Sequence, residues 1–253
     1  MSLSLEKSVV IITGAASGIG RAMVEAFLSK NAYVCGLDLN SLPYQHPHLN
    51  GFELDISNEE QVNDTIDKII KKHGQIDILV NNAGIQVIAE IADFDYIQWK
   101  KILGIQLDGT FFLTRACMQN MKTTPHLKSI VNIGSIHSFE ASKNKSAYIA
   151  AKHGLLGFTR ATAIEGAPYH IKANLVAPGF VKTPLVEKQI PEQAKTLGIS
   201  EEEVIQRVML GKTVDGQFTT TQEVVDTVLF FATFPSLALT GQSLVVSHGQ
   251  NMS

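Results

Sequence analysis

The run Ser8-Val-Val-Ile-Ile-Thr13 leads straight into Gly14-Ala-Ala-Ser-Gly18-Ile-Gly20, and that turn leads into a helical pattern from Arg21 to Lys30. A β-branched run with no polar alternation must be covered on both faces, which is the condition of a strand inside a helix-flanked parallel sheet. The glycines allow backbone N–H groups to approach a ligand, and the helix N-terminus behind them carries partial positive charge. Strand, turn and helix therefore stand in the order that suits a pyrophosphate. Gly14, Ser17, Gly18, Ile19 and Gly20 are the candidate phosphate-binding residues. The spacing is not GxGxxG, and glycines also serve ordinary tight turns. The position after the first strand is what gives this turn its meaning.

Ala32-Tyr-Val-Cys-Gly-Leu37 reads as a second strand ending at Asp38. The offset is close to the ~20 residues at which an acid meets the adenosine ribose hydroxyls. A carboxylate there repels a 2′-phosphate, which favours NAD over NADP; the plain alternative is a strand-end Asp making a turn. Pro43, Pro47 and the lack of apolar periodicity before the next strand, Gly51-Phe-Glu-Leu54, argue against a full crossover helix. Asp55 and Ile56 are candidates to contact the adenine, although Asp55-Ile-Ser-Asn58 also reads as a helix cap. Val62, Ile66, Ile69 and Ile70 mark one face of a helix, and Ile76-Asp-Ile-Leu-Val80 reads as a fourth strand ending in Asn81-Asn-Ala-Gly84.

Ser135 ends the apolar strand Ser129-Ile-Val-Asn-Ile-Gly134, and Tyr148 and Lys152 follow in a helix-favouring run. At this spacing their side chains share a helix face. A tyrosine titrating near ~10 must be lowered by roughly three units, about 4 kcal/mol, to act as a base near neutrality. A neighbouring ammonium favours the phenolate, and an oxidised nicotinamide adds to it. Ser135 can offer its hydroxyl to a substrate oxygen. Taken alone, such a Tyr/Lys pair is usually only a helix-surface contact.

The 253 residues are 45% hydrophobic and contain no linker, charge block or repeat, so a single α/β domain over 1–253 is expected. A net charge of -3 gives no reason to expect nucleic acid or an anionic membrane surface. The longest apolar runs, such as Val228-Leu-Phe-Phe-Ala232, fall far short of the ~20 residues that span a bilayer. With no signal pattern at the start, the expected location is cytoplasmic. Cys35 and Cys117 lack metal or redox spacing and read as buried free thiols. His46-Pro-His48 offers only two ligands, so no metal is expected.

The Gly14/Gly18/Gly20 turn, Asn81-Asn-Ala-Gly84, the Ser135/Tyr148/Lys152 spacing and Pro178-Gly-Phe-Val-Lys-Thr183 together resemble the short-chain dehydrogenase/reductase family, from about Val9 to Val246. The resemblance implies a doubly wound Rossmann-type sheet of about seven parallel strands, helices on both faces and a site at the strands' carboxyl ends. It implies further that Asn82, Ala83 and Gly84 line the adenosine side and that Lys152, beside Tyr148, holds the nicotinamide ribose. Pro178, Gly179, Val181 and Thr183 would hold the nicotinamide. Members commonly pair the helices matching Trp99–Met121 and Tyr148–Glu165. Here those helices carry Phe111, Phe112, Leu155, Leu156 and Phe158 on more than one face, so a homotetramer or homodimer is expected.

Within the family, Asn82-Ala-Gly-Ile-Gln86, Asn144 to Gly154 and Thr183 to Ile190 resemble the dehydrogenases of D-3-hydroxybutyrate. That resemblance implies that Gln86, His137, Lys145 and Gln189 hold the substrate carboxylate, beside Ser135 and Tyr148. A small hydroxy acid has little apolar area, so charge-assisted hydrogen bonds must orient it. Residues 184–212 follow the nicotinamide motif and would form a substrate lid. Gln106 stands where the family carries an asparagine that helps a water relay protons to the active lysine. Ser247-His-Gly-Gln250 replaces Asp-Gly-Gly-Trp, which removes the tryptophan that closes on the substrate methyl and leaves room for a larger or more polar substrate.

The expected activity is NAD-dependent interconversion of a small 3-hydroxy acid, foremost D-3-hydroxybutyrate, and its 3-oxo acid. The alternatives are another secondary alcohol or its ketone, such as a cyclic diol, a sugar or a hydroxyacyl (3-oxoacyl) thioester, and a non-catalytic NADH-binding regulator.

Overall fold

β1 (Val9–Thr13), β2 (Tyr33–Asp38), β3 (Leu49–Glu53), β4 (Ile78–Asn81), β5 (Lys128–Ile133), β6 (Ile171–Pro178) and β7 (Ser243–Val246) pair throughout in parallel. In the computed structural model they form one seven-stranded sheet, ordered β3-β2-β1-β4-β5-β6-β7. Residues 4–252 are described; the first three residues and Ser253 of the expected 1–253 unit lie outside them. The order reverses between β1 and β4, which opens a crevice at their carboxyl ends.

Alternation along β1 explains its apolar run. Val10 and Ile12 face one layer, with Met23, Val24 and Phe27 of α1 (Gly18–Leu28) and Val224, Val228 and Phe231 of α8 (Thr221–Thr233). Val9 and Ile11 face the other, with Val62, Ile66 and Ile69 of α2 (Glu59–His73) and Leu113, Cys117 and Met121 of α4 (Gly109–Met121). β1 therefore buries both faces, which polar alternation would forbid. Cys35 and Cys117 are buried free thiols in this second layer. Asn58 caps α2 by accepting from the Gln61 N–H, and Gly74 ends it in the left-handed region at φ 79°.

No helix joins β2 to β3. Leu42 fills that place, and its Cδ1 would lie 2.8 Å from a Cβ at Gly36 and 3.2 Å from one at Gly51. The helix expected over Trp99–Met121 is α3 (Tyr96–Leu103) and α4, joined by a π-helical turn at Gly104–Asp108. Gly109 permits the close approach there, because a Cβ would fall 2.9 Å from the Ile56 carbonyl. α5 (Ser146–Gly166) crosses β5 and β6.

The 184–212 stretch is more ordered than its weak pattern suggests. It holds α6 (Pro184–Leu197), α7 (Glu201–Glu203) and a π-helical turn at Val204–Met209. Val186, Val204, Met209 and Leu210 give it a small core of its own. At the sheet's amino end, fully buried Lys128 meets Asp77 at 2.6 Å, while Asp77 also accepts from the Val9 N–H at 2.8 Å. Among the described residues no helix is long and apolar enough to cross a membrane.

Candidate active site

The crevice between β1 and β4 is pinned by Thr13. Its hydroxyl accepts from the Asn82 and Ala83 N–H groups, each at 2.9 Å, and its carbonyl accepts from Asn82 Nδ2 at 2.9 Å. Asn82 thus turns its side chain back to lock β4 to β1. The glycine turn lies across this lock. Gly14 and Gly18 have φ 65° and 53°, where a side chain is strained, and a Cβ at Gly20 would fall 1.9 Å from the Gly14 carbonyl. Ser17 precedes α1 without a side-chain capping bond, so its hydroxyl and the first-turn N–H groups remain for an anion. Ile19 packs against the α1 core, and Thr183 stands over the turn, its Cγ2 3.5 Å from where a Gly18 Cβ would lie. This cradle fits a dinucleotide pyrophosphate.

Asp38 ends β2 as expected. Its carboxylate accepts from the Ala16 and Asn40 N–H groups, both at 3.0 Å, and a carboxylate so placed keeps acceptor sites for ribose hydroxyls. Asp55 makes a turn, accepting from the Ser57 N–H at 2.9 Å and hydroxyl at 2.7 Å, while Ile56 is buried beneath Gly109. Past β6, Pro178 and Gly179 lie beside β7, with the Gly179 N–H donating to the Val246 carbonyl. Val181 is buried and bridges Thr219.

α5 brings the titratable groups together. Lys152 Nζ is buried, donates to the Ile133 carbonyl at 2.7 Å and lies 5.5 Å from the centre of the Tyr148 ring. Burial lowers its pKa to about 7. Burial raises the Tyr148 phenol, and a hydrogen bond with the Ser135 side chain opposes that shift. Ser135 is held by the 3-10 turn Ile136–Ser138, its hydroxyl accepting from the His137 N–H at 3.2 Å. The buried His137 ring stands edge-on to Tyr148 at 6.1 Å. Burial and nearby Lys145 lower its pKa to about 4, so it is neutral at physiological pH.

Gln106 lies in the π-helical turn. Its Nε2 donates to the Ile85 carbonyl at 3.0 Å, and its Oε1 is buried without a partner beside Gly84. Gln86 is half-buried with an unpartnered Nε2. Its loop reaches α5, where Ala89 bridges Lys145. Lys145 is buried at 5% exposure with Nζ 4.9 Å from the centre of the Phe180 ring. No carboxylate among the described residues pairs with it, and burial lowers its pKa to about 8. Gln189 is buried on α6, donating to the Leu185 carbonyl and leaving Oε1 without a partner.

Several contributors were not evident from the sequence. Gln193, one helical turn beyond Gln189, is also buried with an unpartnered Nε2. Glu140 meets Lys212 at 3.7 Å and accepts from Asn251, joining the Ser135 turn to the 184–212 stretch and the tail. His248 sits between Asp215 at 2.7 Å and Glu223 at 3.3 Å. Motif reading has no signal for such clusters, whose members meet only through the fold.

The family model for short chain dehydrogenase matches residues 8–194. The chain is 35% identical to the D-beta-hydroxybutyrate dehydrogenase of Rhizobium meliloti, over 94% of this chain and 96% of that one. It is 34% identical to the 3-oxoacyl-[acyl-carrier-protein] reductase of Thermotoga maritima, over 98% and 99%. The ligand-free aldohexose dehydrogenase of Thermoplasma acidophilum superposes with a TM-score of 0.90 at 32% identity, covering 99% of this chain and 96% of that one. The family's enzymes act on CH–OH groups with a nicotinamide cofactor and a small-molecule substrate. With its doubly wound sheet and its match over most of the length, this chain belongs to the short-chain dehydrogenase/reductase family.

Proposed function

We propose that this oxidoreductase uses NAD to interconvert a small 3-hydroxy acid, of the D-3-hydroxybutyrate type, and its 3-oxo acid. The observation that carries the reading is Lys145, a buried cation with no carboxylate partner among the described residues. Burying an unpaired ammonium is costly, and a substrate carboxylate offsets that cost. Gln86 Nε2, also without a partner, adds a neutral donor to the same anion. Asp38 favours the cofactor without a 2′-phosphate.

In the proposed reaction Tyr148 takes the proton of the substrate hydroxyl while Ser135 and neutral His137 orient its oxygen. Lys152 holds the nicotinamide ribose and stabilises the phenolate. When bound, the nicotinamide supplies the hydride acceptor and, oxidised, a positive charge near the phenol. In the protein alone burial raises the phenol and lowers the ammonium, so both favour their neutral forms. Gln106 stands beside Gly84 in place of the asparagine of the proton relay. Residues 184–212 serve as the lid, carrying Gln189 to the substrate, and subunits pair through α4 and α5.

Initial rates of NADH formation with D- and L-3-hydroxybutyrate test this, repeated with NADP. The expected result is D-selective turnover dependent on NAD. Negligible turnover by protein that still binds NADH would discard the substrate while keeping the family.

A further inference from the structure

The polar groups around the site can be sorted by what they still require. Lys145 and Gln86 Nε2 are donors, and a carboxylate satisfies both. Three further groups are acceptors: Gln106 Oε1 faces the Gly84 loop, and the other two lie on the lid and the tail. Gln189 Nε2 is committed to the Leu185 carbonyl, which fixes the amide's orientation and leaves Oε1 facing no donor; the residue is 5% exposed. Gln250 Oε1 is likewise without a donor, and the residue is 9% exposed.

Two observations put Gln250 on the β6 side of the site. Its Oε1 would lie 3.0 Å from a Cβ at Gly179, next to the Phe180 ring on which Lys145 rests. The tail that bears it is tied through Asn251 to Glu140, just past the Ser135 and His137 turn. A carboxylate has no proton to give to these oxygens, and the reacting hydroxyl gives its proton to Tyr148. Gln193 Nε2 stands one turn from Gln189 as a donor within the protein, whereas a plain 3-hydroxy acid leaves the Gln250 acceptor buried and unsatisfied, a state that proteins rarely retain.

We propose, building on the 3-hydroxy-acid reading above, that the substrate carries a second hydroxyl on a carbon adjacent to the reacting one, and that Gln250 Oε1 accepts its proton. The substrate class is thus a short dihydroxy or polyhydroxy acid, and Gln250 is a specificity-determining residue. A site built to bond a hydroxyl rejects the analogue that lacks it far more strongly than an apolar pocket rejects an extra group.

The test compares kcat/KM for 3-hydroxybutanoate, 3,4-dihydroxybutanoate and 2,3-dihydroxybutanoate with NAD, in the wild type, Gln250→Leu and Gln250→Asn. NADH affinity and thermal midpoint are recorded for each protein. The expectation is at least a tenfold preference for one dihydroxy acid in the wild type, a preference removed in Gln250→Leu and partly kept in Gln250→Asn, at unchanged NADH affinity. Equal or faster turnover of 3-hydroxybutanoate by the wild type would overturn the proposal while leaving the 3-hydroxy-acid reading in place. Weakened NADH binding in Gln250→Leu with an unchanged substrate ratio would assign the oxygen to the cofactor site instead, and would also overturn it. Turnover of none of the three acids by NADH-binding protein would remove both readings together.

Discussion

Lys145 and Lys152 lie in one stretch of chain, and burial depresses both ammonium groups, yet their surroundings give them different tasks. Lys152 has a carbonyl acceptor and a phenol beside it; Lys145 has only an aromatic ring. A charge-assisted hydrogen bond contributes about 1.5–3 kcal/mol. Lys145→Ala is therefore expected to raise KM for 3-hydroxybutyrate roughly ten- to hundredfold, taking about 1.4 kcal/mol per decade, with kcat and the KM for a neutral ketone little changed. Equal losses on acid and ketone would remove Lys145 from the carboxylate site. The identity of these residues was legible because Ser135, Tyr148 and Lys152 are close in sequence and keep a fixed spacing. Their charge states were not, because burial is set by Ile133, Phe180 and other residues that only the fold brings near.

At the scale of elements, the strand, turn and helix from Val9 to Leu28 were legible because an unalternating apolar run admits few environments. The π-helical turn at Gly104–Asp108 was not: no local composition marks the extra residue, and the close packing of Gly109 on Ile56 just beyond it is made only by the fold. The order within 184–212 was hidden because Pro191 lies inside α6, where a proline ordinarily signals a break, and the apolar partners arrive from Val204 and Met209. The end of this stretch is fastened by His248, whose partners are 33 and 25 residues distant in sequence. Its pKa is raised, chiefly by the hydrogen bond to Asp215, from a reference of 6.5. The clamp's contribution is then complete below that reference value and is lost as pH rises through the folded value. Asp215 and Glu223 are lowered from 3.8 and 4.5, so their part is lost only as pH falls below those values. The difference in thermal midpoint between the wild type and His248→Gln should be widest at about pH 5–6 and shrink toward alkaline pH. A difference that does not change with pH would count against the charged clamp.

For the molecule as a whole, the parallel sheet with helices on both faces followed from the family resemblance, whereas the order of the strands and the surfaces left uncovered could be judged only once the elements were placed. Phe111 and Ile164 are exposed at 42% and 76%, and the Phe111 ring meets Phe158 of the neighbouring helix at 6.3 Å. A strip of this kind suits burial against a second copy. Sedimentation should give a dimer or tetramer, and Phe111→Lys with Ile164→Lys should move it toward the monomer; a monomeric wild type would dismiss the pairing. The opposite edge of the sheet is built differently. With Leu42 in the place of a crossover helix, β3 is an edge strand held by its ladder to β2, by Leu49 and Phe52 packed on the two core layers and by the hydrogen bond from Lys72 of α2 to Asn50, while the strands around Lys128 are locked by a buried ion pair. Hydrogen exchange should therefore show backbone amides less protected at the edge strand β3 than at the interior strand β5. On the proposed site reading, that edge meets the adenosine end of the dinucleotide, so part of the free energy of binding would go into ordering it.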